Sequence, residues 1–299
     1  MTPVEPSQDL ARLLAGVAKQ TVAEFADRGL TEEGLSIAVI DLSAGPGASL
    51  PSGGFRADAS FYPASVVKTF YVAYYESLKE TGRLHDNPDL VRAVRDMITL
   101  SYNDATGFVV DSITGTTSGP ELSGREWEEW QEKRNAVNRF LAGRGYKDSN
   151  ANQKTFCEDA YGREQAFRDG GKNRNRTTAS EIARFFKEIA RGEIVGPGGT
   201  EEMMALFSRD VTPEKPFEEM EPEDARLAGQ ALPKGSRLWA KSGDAYDVHH
   251  LVGRVVLPNG CDFVIAVLTK GVKTVPGVIP RVYERVAADF AKRPAPTSR

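Results

Sequence analysis

The chain has 299 residues, 40% hydrophobic and 27% charged, which excludes a disordered or fibrous polymer and fits one large domain or two interleaved ones. Thirty-eight basic residues against 42 acidic ones leave a formal charge of -4, so there is no positive field to hold a phosphate backbone and nucleic acid is not an expected partner.

The amino terminus, MTPVEPSQDLARLL, has neither the basic nor the apolar region of an export signal, and no apolar run reaches the ~18 residues of a membrane span. The expectation is a soluble monomer without a membrane partner, cytoplasmic as written and periplasmic or secreted only with an upstream signal. Residues 8–28 place Leu10, Leu13, Leu14, Val17 and Phe25 on one face at helical spacing, with Gly29 as the stop. LSIAVIDL, residues 35–42, reads as a buried strand, and SAGPGASLPSGG after it as a loop.

From Phe61 to Tyr75 the sequence FYPASVVKTFYVAYY is apolar on nearly every side, with Pro63 suited to a first helical turn. Lys68 inside it must be partnered or desolvated, and burial of an ammonium favours its neutral form. Residues 88–115 and 121–142 continue in helical patterns, where Trp127 and Trp130 at i, i+3 read as core packing. Residues 147–176 are polar with no sustained period, and so long a loop in a compact domain is usually functional. A helix follows over 178–191. PEKPFEEMEPED, residues 213–224, reads as a solvated acidic face or loop. Strands are expected over 237–241, 248–257 and 263–269, the last two joined by a turn at Pro258, Asn259 and Gly260, and Val282, Val286 and Phe290 mark a closing helix. Strands at both ends with helices between imply an α+β fold: an antiparallel sheet domain from residues 1–62 and 200–299, flanked by terminal helices, with a helical domain of residues 63–199 inserted.

Ser65 and Lys68 stand three apart at the start of the apolar helix, so they face one side, with Ser65 near the positive end of the helix dipole. A neutral lysine there can take the serine proton. Ser101-Tyr102-Asn103 lies in the following helical region, and Lys241-Ser242-Gly243 ends a strand before the hairpin. This ordered set resembles the penicillin-recognising serine hydrolases, the class A β-lactamases and penicillin-binding transpeptidases. ALPKGSRLWAKSGD and RTTASEIARFF are further local likenesses.

The resemblance implies a β-lactamase/transpeptidase-like fold with its site where the two domains meet. It implies Ser65 as nucleophile, Lys68 as its activator, Ser101 as a proton relay and Asn103 as a holder of the acyl side chain. Lys241 would bind a substrate carboxylate, with Ser242 and Gly243 beside it, and the N–H groups of Ser65 and Asp244 would form an oxyanion hole. The substrate would be a small molecule: a β-lactam, or a related peptide or ester. A peptidase or esterase of the same fold, and a catalytically silent ligand-binding module, are the alternative readings.

Three departures stand out. The interval from Ser65 to Ser101 is short for class A, suggesting a pruned loop and an open cleft. Asp244 puts a carboxylate directly after Lys-Ser-Gly, where it would disfavour acidic β-lactams. The Glu-x-x-Leu-Asn signature of the deacylating glutamate is absent. Glu158 and Glu164 in the long loop remain as candidate bases, Glu164 first, against the bland reading of ion pairs with Arg163, Arg168, Arg174 or Arg176. His249 and His250 are adjacent on a strand and face opposite ways, and His85 is distant in sequence. Cys157 and Cys261 stand in no metal-ligand spacing and cannot build a disulfide framework. No metal or other cofactor is expected.

Overall fold

The computed structural model describes residues 1–44, 47–156, 160–211, 228–271 and 277–296. The acidic stretch 213–224, Cys157 and Glu158 lie outside the described residues.

The chain opens with a short strand, β1 (Val4–Pro6), and a helix, α1 (Gln8–Phe25). Ser7 caps α1 by accepting from Leu10 N–H, a contact of about 1 kcal/mol. Gly29 ends the following turn at φ 91°, a conformation that costs glycine nothing. Strands β2 (Leu35–Asp41) and β3 (Leu50–Phe55) come next. β3 occupies part of the stretch expected to be loop. Its glycines misled the reading, and packing explains them. A Cβ on Gly53 would lie 2.6 Å from Leu10 Cβ and 2.8 Å from Ala11 N, because α1 rests directly on the β3 backbone.

The helices of the middle are α2 (Lys68–Glu80), α3 (Pro88–Thr99), α4 (Asn103–Thr114), α5 (Gly124–Arg134), α6 (Ala136–Gly143), α7 (Gly162–Arg168), α8 (Ala179–Ala190) and α9 (Pro197–Phe207). The patterned stretches therefore break between elements. Ser101 falls in the turn between α3 and α4 rather than within a helix, and α7 interrupts the long polar loop. Strands β4 (Ser208–Arg209), β5 (Arg237–Ala245), β6 (Val248–Val256) and β7 (Asp262–Lys270) precede the closing helix Val278–Phe290.

The seven strands run in the order β1-β3-β2-β7-β6-β5-β4. All neighbours are antiparallel except β1 and β3, which are parallel, so the expected antiparallel sheet is in fact mixed at one edge. The turn at 258–260 joins β6 to β7 as expected. β2 and β7 read as continuous apolar runs because both faces of the sheet are covered. Ile37, Val39, Ile265 and Val267 meet α1 and the closing helix on one face. Ala38, Ile40, Ala266 and Leu268 join the core built with the middle helices on the other. Trp130 is buried and Trp127 stacks on it at 5.5 Å, as core packing requires. We propose the two-part division, 1–62 with 200–299 against 63–199, as the domain description, its second boundary falling in the first turn of α9 and α8 packed on β2, β6 and β7.

Candidate active site

The site lies where α2, the α3–α4 turn and β5 meet. A one-turn 3-10 helix, Ala64–Val67, leads into α2. Ala64 stands at φ 46°, a left-handed conformation that a non-glycine residue holds only when its surroundings enforce it. That bend presents Ser65, partly exposed, to a cavity of about 450 Å³. One turn on, Lys68 is fully buried. Its Nζ donates to the Ser101 carbonyl at 2.6 Å, to Ser101 Oγ at 3.2 Å and to Asn103 Oδ1 at 3.0 Å.

Ser101 is itself left-handed, at φ 58°. This turn aims both its carbonyl and its hydroxyl at Lys68. From the other side Lys241, on β5 and also buried, donates to Ser101 Oγ at 2.9 Å and to the Ser242 carbonyl at 3.0 Å. Ser101 Oγ thus accepts from both lysines, which leaves its own hydrogen to donate. Asn103 is fixed at both ends, since its Nδ2 donates to Phe156 O at 3.2 Å.

Gly243 explains how β5 approaches the nucleophile. A Cβ there would stand 2.6 Å from Pro63 O and 3.1 Å from Ser65 N, so only glycine lets the strand backbone lie against the Ser65 turn. Ser242 is buried beside it, and Asp244 lines the cavity. Asp244 faces His249 across the strand pair, with Oδ2 3.4 Å from Nδ1. The neighbouring His250 points into the core, where its Nδ1 accepts from Thr269 N–H at 3.1 Å and its Nε2 lies 2.8 Å from Tyr62 O. A backbone N–H can only donate, so Nδ1 is unprotonated and Nε2–H donates to Tyr62. Burial first, and the neighbouring His249 as well, hold this imidazole down at about 4, and it is neutral. Among the described residues no group of three or more His, Cys, Asp or Glu side chains is placed to hold a metal ion.

The far wall of the cavity comes from the long polar loop: Gln153, Lys154, Thr155, Phe156, Arg168 and Arg174. Tyr71, one turn beyond Lys68 on α2, donates to Gln153 O at 2.6 Å and accepts from Asn175 Nδ2 at 3.3 Å. Burial pushes its phenol well above the usual range, so it stays a neutral donor pinning the loop.

Glu164 is not brought to this cavity. Its fully buried carboxylate accepts from Arg134 Nη2 at 2.6 Å and Ser118 Oγ at 3.0 Å, and lies 3.5 Å from Lys154 Nζ. The partners are Arg134, on α5, and Lys154, not the loop arginines expected of an ion pair. Arg163 instead donates to Pro120 O, and Arg174 lies against aromatic rings. Among the described residues, Asp244 is the only carboxylate lining the cavity. Sequence reasoning missed the wall residues Tyr62, Gln153, Asn175 and Tyr246, and weighed Arg168 and Arg174 only as ion-pair partners. The dense polarity of 147–176 was the available signal.

A sequence profile of the Beta-lactamase enzyme family matches residues 86–289. The chain belongs to that family. A search of curated proteins finds no match. Solved structures share its fold at low identity. A variant of PBP-A, solved as an acyl-enzyme complex with penicillin G, is 20% identical with a TM-score of 0.66, covering 98% of this chain and 100% of that one. The beta-lactamase from Sphaerobacter thermophilus is 20% identical with a TM-score of 0.63, over 94% and 98% of the two chains. A variant of the last common ancestor of Gram-negative bacteria class A beta-lactamase is 18% identical with a TM-score of 0.62, over 92% and 98%. The β-lactamase-like α+β fold read from the sequence is the fold of this chain, and small molecules are the family's substrates.

Proposed function

We propose that the chain is a serine hydrolase that forms an acyl-enzyme at Ser65 with a β-lactam or a related amide or ester. The observation that carries the reading is the shared hydroxyl of Ser101, bonded to Lys68 at 3.2 Å and to Lys241 at 2.9 Å beside the strained Ser65 turn. Folding alone does not call for two buried lysines on one hydroxyl.

In this mechanism Ser65 Oγ attacks the substrate carbonyl while neutral Lys68 takes its proton. The N–H groups of Ser65 and Asp244 receive the developing oxyanion, and Gly243 keeps β5 close enough for both to converge. Ser101 then passes a proton to the leaving nitrogen or oxygen as its bond to the acyl carbon breaks and the carbonyl re-forms, and Lys68 re-protonates Ser101. Asn103 and the Gln153–Phe156 wall hold the acyl side chain, and Lys241 with Ser242 faces the substrate carboxylate. Water later cleaves the ester to Ser65.

A slow β-lactamase fits best, because Asp244 is the only described carboxylate on the cavity wall and it is engaged with His249. The same observation favours the second reading, a peptidase or esterase that stays acylated by penicillins; the PBP-A variant was solved as an acyl-enzyme complex with penicillin G. Intact mass spectrometry after incubation with a penicillin and with an activated ester tests both. The expected result is a stoichiometric adduct absent from Ser65→Ala. An adduct that persists in that variant, or none with either reagent, overturns the reading.

A further inference from the structure

Two arginines line the Ser65 cavity and have no role in the chemistry so far described. Both come from the loop wall, Arg168 at the end of α7 and Arg174 six residues on. Neither has a carboxylate of a described residue within ion-pair distance, although the loop and helix cations around them do: Lys154 holds Asp111 at 2.6 Å and Arg134 holds Glu164 at 2.6 Å. Arg174 is held by other means. Its guanidinium carbon lies 3.9 Å from the Tyr62 ring centroid and 4.9 Å from that of Tyr246. Contact with two aromatic rings orders the guanidinium without supplying a counter-charge, an arrangement suited to an anion such as a carboxylate. Tyr246 stands at φ 52° in the turn after β5.

The arginines are not the Lys241 subsite under another name. Gly243 abuts Ser65 N, and Lys241 precedes it by two residues while Tyr246 follows it by three. Lys241 and the ring that packs on Arg174 therefore lie toward opposite sides of Gly243, the point at which the strand meets the nucleophile turn. A substrate spanning Ser65 would meet Lys241 with its leaving-group side and the arginines with its acyl side, where Asn103 also stands.

We propose that Arg168 and Arg174 form an anion subsite for the acyl portion of the substrate, so that the preferred acyl donors carry a carboxylate on the acyl side chain. This deepens the serine hydrolase reading and rests on it for the direction in which the substrate lies.

The test separates the two. Ser65→Ala, which cannot be acylated, is titrated with a penicillin bearing a phenylacetyl side chain and with the one whose side chain has an added α-carboxylate. The carboxylated compound should bind about tenfold tighter or more, as a charge-assisted bidentate contact allows, and the preference should shrink with salt. Arg174→Gln and Arg168→Gln should each remove most of that preference while changing affinity for the neutral side chain less than about threefold. Arg174→Lys, which keeps charge but loses the guanidinium's contact with the rings, should retain part of it. Equal affinities for the two compounds, or equal losses for both in the arginine variants, overturn the subsite. Adduct formation by the wild type with the phenylacetyl compound reports on Ser65 independently, so failure there counts against the hydrolase reading and leaves the binding comparison to decide the subsite.

Discussion

Lys68 and Lys241 meet at one oxygen, Ser101 Oγ, which accepts from the first at 3.2 Å and from the second at 2.9 Å. Two buried ammonium groups sharing an acceptor repel one another, and the repulsion is relieved when one of them gives up its proton. In the proposed mechanism Lys68 is the one that gives it up, since it lies one helical turn from the serine whose proton it must take.

Acylation by the wild type should accordingly rise with pH as Lys68 becomes neutral. Lys241→Ala removes the like charge, favours the protonated form of Lys68 and should move the midpoint upward. Ser101→Ala removes the shared acceptor and the relay, and should slow acylation by about 10²–10⁴-fold with the fold retained. Stopped-flow acylation from pH 6 to 10 checks both. A profile unchanged in Lys241→Ala would show the lysines uncoupled.

Gly243 is a second point where one atom decides. Gly243→Ala would place its Cβ 2.6 Å from Pro63 O, so β5 must withdraw from the Ser65 turn. Withdrawal parts the two proposed oxyanion donors, and the loss of one such donor costs about 10²–10³-fold in rate. The variant should fold, bind a penicillin and acylate slowly. Wild-type acylation would mean that the strand can yield without moving the donors.

His250 gives a pH signature in stability rather than activity. The unfolded chain takes up a proton at this residue below its ordinary 6.5, whereas the folded one resists until about 4. The unfolded state therefore binds more protons through that window, and stability should fall as pH drops from 6.5 toward 4 by about 1 kcal/mol per pH unit, levelling below it. Urea unfolding across pH 7 to 4 should show the slope, and His250→Gln should flatten it. Identical slopes in the two proteins would assign it elsewhere.

Asp244 narrows the substrate range if its charge is felt in the cavity it lines. Asp244→Ala should speed acylation by penicillins, which are anionic, more than acylation by a neutral ester of similar reactivity. Equal gains, or none, would refute the electrostatic account.

Ser65, Lys68, Ser101, Asn103 and Lys241 were legible as candidates because short motifs at the entries to α2 and α4 and on β5 survive as local spacing. What places them is less local. Ala64 and Ser101 carry left-handed backbone that no propensity announces, and the glycines of β3 looked like loop because the helix that presses on them lies about 40 residues earlier. The partner of Glu164 was equally hidden: Trp127 and Trp130 mark the inward face of α5, but no spacing announces that Arg134, 4.7 Å from the Trp130 ring, meets a carboxylate 30 residues on.

That buried pair bears on deacylation, the step that divides enzymes that release their acyl group from those that keep it. A deacylating base must reach a water facing the acyl-enzyme. Glu164 Oε1 is instead bound by Arg134 and Ser118, and the residue does not line the cavity. Glu164→Gln should therefore not trap an acyl-enzyme that the wild type releases. It should destabilise the fold, because Arg134 is fully buried and would keep only Asp111, at 3.2 Å, as its anionic partner. Breaking a buried pair costs about 3 kcal/mol or more, and the residual pairing with Asp111 places the expected loss toward the lower end. The wild type should show a stoichiometric burst with a chromogenic β-lactam followed by slow release, and the variant the same burst and release at a lower Tm. A glutamine variant of unchanged Tm whose acyl-enzyme accumulates while the wild type turns over would return Glu164 to the chemistry, by way of a loop movement that brings its carboxylate to Ser65.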